Sequence, residues 1–82
     1  MSEERLIHQG QRSELRILMH QAELRLDSLR KRIRVDCNIL TDPAHIPADE
    51  ILMLATDLRA TQIDYLDLRQ KLDKIREILG DA

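Results

Sequence analysis

Ile51, Leu54, Leu58, Thr61, Tyr65, Leu68, Leu72, Ile75 and Leu79 follow one another at alternating steps of three and four residues. Thr61 is the one polar side chain that would interrupt an apolar stripe. A stripe with this 3.5-residue period, held for about four heptads, is the seam of a helix that packs lengthwise on another helix. No strand can use it, because a strand alternates every second residue. The pattern predicts a helix over residues 47–79. Pro47 suits its first position, where a missing N–H costs nothing, and Asp49 and Glu50 suit its positive end. Gly80 stands where a left-handed residue would stop it.

A helix with such a seam needs a second helix of comparable length. Leu15, Met19, Ala22, Leu26, Leu29, Ile33 and Leu40 supply it, with Asp36 in the step between the last two and Cys37 as an alternative inward residue. This predicts a helix over about residues 3–40, frayed or bent near Gly10, where glycine costs about 1 kcal/mol relative to alanine. Ser13 is an alternative N-cap. The two prolines of the chain, Pro43 and Pro47, mark the single break, a loop over 41–46. Long helices joined by a short loop run antiparallel. With the loop centred near residue 45, Leu40 should meet Ile51 and Ile33 should lie near Leu58. Leu26 should approach Tyr65, Met19 should approach Leu72, and Leu15 should approach Ile75. The expected architecture is all-α: one domain over 1–82, a coiled-coil-like antiparallel two-helix hairpin.

Composition narrows the function. Tyr65 is the only aromatic residue, and Leu, Ile and Val total 24 of 82 residues. That supply suits a thin helix-on-helix core better than an enclosed substrate pocket. The supply also exceeds what the seams use. Ile17, Leu18 and Leu24 lie off the first seam; Leu52, Met53, Ala60, Ile63, Leu66 and Ile78 lie off the second. A hairpin has no further layer to cover them. Self-association is therefore expected, most simply as two hairpins in a two-fold four-helix bundle, with contact to another protein as a further use of the same residues. Ordinary exposure of scattered apolar side chains is the plainer alternative.

The charges are nearly balanced at −2 overall. Residues 1–40 nevertheless carry +2 and residues 41–82 carry −4. Arg25, Arg30, Lys31, Arg32 and Arg34 crowd into ten residues. This stretch could bind an anionic partner such as nucleic acid. In a hairpin, however, it runs beside Asp57, Asp64 and Asp67, which could neutralise it through weak ion pairs. Aromatic side chains on which bases could stack are missing.

His8, His20, His45 and Cys37 are the soft metal ligands. His8 and His20 fall about 120° apart on a helix, and no CxxC or HxxxH spacing occurs. No metal and no cofactor are expected, and no nucleophile–base pair or carboxylate dyad can be placed in one pocket. The longest apolar run, Ile51 to Ala55, is far short of a membrane span. One cysteine and an acidic start with no signal-like apolar segment lead to the expectation of a cytoplasmic protein. The expected function is a non-enzymatic protein–protein interaction module, a small adaptor, regulator or assembly factor. The alternative is a nucleic-acid-binding accessory protein using residues Arg25 to Arg34.

Overall fold

The computed structural model describes residues 2–80. Helix α1 spans Ser2–Asp36 and helix α2 spans Ala48–Leu79, with a 3-10 turn at Pro43–His45 between them. The two helices pack lengthwise as an antiparallel hairpin 64 Å long and 17 × 14 Å in section. No strand occurs among the described residues.

Each helix end has a chemical cause. Glu3 and Glu4 occupy the first turn of α1 and Arg34 its last, each matching the helix dipole. Helix α1 runs unbroken through Gly10, where an added Cβ would meet nothing within 4 Å. The helix does not fray at Gly10. Helix α1 ends at Asp36, four residues before the expected boundary. The Asn38 side-chain oxygen accepts the Leu40 N–H at 2.9 Å, and the Thr41 N–H turns back to the Asn38 carbonyl at 3.1 Å. Short polar side chains that bond nearby backbone in this way compete with helix continuation. Asp42 repeats the device, accepting the Ala44 N–H at 2.9 Å to cap the 3-10 turn.

Pro47 takes the N-cap of α2 rather than its first helical position; its carbonyl accepts the Ile51 N–H at 2.9 Å. Asp49 and Glu50 fall in the first turn as expected. Gly80 closes the helix at φ 76°, donating its N–H to the carbonyls of Arg76 and Glu77.

The early end of α1 moves the register. The midpoint between Asp36 and Ala48 is residue 42, not 45. The side chains of Arg25 and Arg32 meet α2 nearer the loop than expected. Arg25 reaches Thr61 and Asp57, and Arg32 reaches Glu50. Leu40 lies outside the helix and is 88% exposed instead of packing on Ile51. Leu26 shares a groove with both Leu58 and Tyr65, and Leu15 shares one with Ile75.

The core is correspondingly thin. Ala22 and Leu29 from α1 and Leu54, Leu72 and Leu79 from α2 are buried, and Leu54 is the most enclosed of them. Thr61 is buried among them with its polarity satisfied. Its hydroxyl donates to the Asp57 carbonyl at 2.8 Å and accepts from Arg25 Nε at 3.3 Å. Asp36 sits half-buried at the end of the seam, with Oδ2 enclosed and not hydrogen-bonded.

Candidate interaction surface

The seam between α1 and α2 leaves an open groove on each flank of the hairpin. Leu15 and Leu18 of α1 and Ile75 and Ile78 of α2 line the first, near the end opposite the loop. Glu14 from α1 and Lys71 and Lys74 from α2 stand at its edges. Positions seven apart share a flank of a coiled-coil helix. Leu18, Arg25 and Arg32 therefore follow one another along α1, and Glu50, Asp57, Asp64, Lys71 and Ile78 along α2. The contacts agree with this assignment. Arg25 Nη2 lies 3.8 Å from Asp57 Oδ2, and Arg32 Nη2 donates to Glu50 Oε1 at 3.1 Å.

The second flank carries Leu26, Leu58, Tyr65 and Leu66 along its groove, with Glu23, Asp27, Arg30 and Gln62 beside them. Its ion pair is local. Arg30 Nη2 donates to Asp27 Oδ1 at 2.7 Å, one turn back on the same helix. We call the two sides the Leu18 flank and the Leu66 flank.

All nine apolar residues expected to lie off the seams are exposed, but they do not form one face. Leu18, Met53 and Ala60 fall on the Leu18 flank. Leu52 and Leu66, two heptads apart, fall on the other. Ile17, Leu24 and Ile63 point away from the seam on the backs of the helices. Ile7, Val35 and Ile78 join the Leu18 flank by their spacing, at 61%, 73% and 59% exposure.

The loop tip is an apolar feature that sequence reasoning missed. Ile39 is 95% exposed and Leu40 88%, with Ile46 close by in sequence at 48%. Asn38 was the available signal. An Asx-type residue directly before Ile39 and Leu40 marks the end of the helix, and with it the loss of the seam that would have covered Leu40.

The basic stretch is partly neutralised within the hairpin. Arg25 and Arg32 pair across to α2, and Arg30 pairs with Asp27. Of the acids expected to do this, Asp57 takes part and Asp67 instead bonds Lys71 at 3.0 Å on its own helix. Glu50 is the acid that sequence reasoning overlooked, because the expected register put it too near the loop to reach Arg32. Lys31 and Arg34 have no ion-pair partner among the described residues. These ion pairs are more than one-third exposed and individually weak.

Cys37 is an exposed free thiol one residue past the end of α1. Among the described residues, no group of three or more His, Cys, Asp or Glu side chains could hold a metal ion. No helix among them is long and apolar enough to cross a membrane. The chain matches no family model, and neither a curated protein nor a solved structure is significantly similar to it.

Proposed function

We propose that this chain is a non-enzymatic protein–protein interaction module, a small adaptor, regulator or assembly factor of the cytoplasm, that works as a dimer of helical hairpins. The observation that carries the reading is surface. A compact protein of 9.6 kDa exposes about 5,100 Å². The hairpin exposes 6689 Å², an excess of about 1,600 Å² relative to that scaling. A standard protein interface takes about 800 Å² from each partner. One interface on a single flank therefore fits within the excess, and a second partner could still use what remains. The radius of gyration supports the same reading, at 18.4 Å against about 12 Å for a compact chain of this length.

The chemistry of the exposed surface fits an interaction role. It is made of Leu, Ile, Met and Ala in rows on rigid helices, which present a preformed shape to another helix. The exposed thiol of Cys37 is compatible with a reducing compartment.

Sedimentation equilibrium at micromolar concentration tests the dimer. The expected mass is twice 9.6 kDa; a mass of one chain refutes it. A second reading, nucleic-acid binding through Arg25, Arg30, Lys31, Arg32 and Arg34, draws on the unpaired charges of Lys31 and Arg34. It expects binding to generic DNA or RNA that weakens steeply with salt. An interaction module shows no such binding.

A further inference from the structure

We propose that two hairpins associate through their Leu18 flanks with both loops at the same end, so that α1 of each copy lies on α2 of the other. The proposal rests on the dimer reading above and adds its geometry. Two-fold pairing of flat hairpins has two solutions. With the axis parallel to the helices, α1 covers the partner's α2 at equal height. With the axis across the helices, the loops lie at opposite ends and each helix covers its own copy, inverted.

The register decides between them. Arg25 lies level with Asp57, and Arg32 with Glu50, within one hairpin. Placing α1 over the partner's α2 at the same height repeats that complementarity between copies. Arg25 faces the partner's Asp57, and Arg32 faces the partner's Glu50. Toward the far end, Glu14 faces the partner's Lys71 and Lys74. The apolar match is partial: Ile7 is near the height of Ile78, whereas Leu18 falls at the height of Asp64.

The inverted pairing sacrifices these matches. It sets Ile78 over the partner's Glu50 and Ile7 over the partner's Arg32, which buries charge against apolar surface. It also brings Asp64, near the middle of α2, against its own copy. The tips add an independent argument. Ile39 and Leu40 are almost fully exposed in one hairpin. Loops at the same end place the two tips side by side, where each can shield the other. Loops at opposite ends leave both bare.

Cys37 makes the test direct, because it is the only cysteine and lies exposed at the loop end. Nitroxide labels on Cys37 report the separation of the two loops by pulsed dipolar spectroscopy. Loops together give a distance below about 30 Å, set by helices packed 8–10 Å apart. Loops apart give roughly 50 Å, the rise of a 35-residue helix. A Cys37→Ser/Arg5→Cys variant repeats the measurement from the opposite end, with circular dichroism to show that it stays helical. Short distances at both ends in a particle of two chains are the expected result. Long distances in a two-chain particle overturn the pairing and leave the dimer reading standing. Any mass other than two chains overturns the dimer reading and the pairing with it.

Discussion

The two flanks of the hairpin resemble each other in apolar content and differ in how their charges are arranged. Each offers an open groove with Leu side chains in it, and each has exposed Leu, Ile or Met nearby. On the Leu18 flank the loop-proximal charges oppose one another across the seam, as Arg25 with Asp57 and Arg32 with Glu50. On the Leu66 flank, Arg30 and Asp27 are neighbours on one helix and carry no information about the other. Apolar exposure alone therefore does not choose an interface here. Burial supplies affinity without direction, whereas opposed charges fix which surface meets which and in what register.

The largest effect should separate the flanks outright. Burying a leucine is worth about 1.5–3 kcal/mol, and a two-fold interface contains each residue twice. Leu18→Lys should raise the dimer dissociation constant by at least about 100-fold. Leu66→Lys should leave the mass in sedimentation equilibrium unchanged. The reverse pattern would move the interface to the other flank.

Next in size is a substitution in the seam that both flanks share. Leu54 is 1% exposed, the most enclosed side chain of the hairpin. Leu54→Ala should cost about 3 kcal/mol in urea unfolding followed by circular dichroism. It must lower helix stability, whereas Leu18→Lys must chiefly lower mass. If the two variants fail in the same way, hairpin folding and pairing form one cooperative step, and the flanks cannot be treated separately.

The architecture was legible in the sequence because a seam of period 3.5 has few physical solutions. The steps from Ile51 to Leu79 define α2, and Gly80 and the acids after Pro47 bound it. The register near the loop was not legible. It depended on where α1 stops, and the bonds there, from the Leu40 N–H to the Asn38 side chain and from the Thr41 N–H to the Asn38 carbonyl, are local polar contacts that periodicity does not register. Two consequences follow in the structure: Leu40 belongs to the exposed tip and not to the seam, and Glu50 is the partner of Arg32. The surplus apolar residues were legible as a set but not as a surface. Their division between two flanks and two backs follows from heptad positions, and which flank is which needed the Arg25 and Arg32 contacts.

The smallest expected effect concerns those contacts themselves. In the isolated hairpin Arg32 and Glu50 are each about half exposed, so their coupling should be the modest value of a surface ion pair, about 0.2–1 kcal/mol. A double-mutant cycle with Arg32→Gln and Glu50→Gln measures it. The matching cycle with Arg30→Gln and Asp27→Asn measures the local pair on the other flank, worth about 0.2–0.5 kcal/mol. The comparison gains force when both cycles are read on dimerisation instead of unfolding. If the Leu18 flank is the interface, both members of the first pair lose water on association and each gains a second partner of opposite charge. Their coupling should then grow in the dimer and resist salt, because buried pairs are screened less than exposed ones. Arg30 and Asp27 should stay wet, with a coupling that neither changes on association nor survives high salt. If the Arg30–Asp27 coupling is the one that strengthens, the charge arrangement does not select the interface, and the loop-together pairing loses its electrostatic basis.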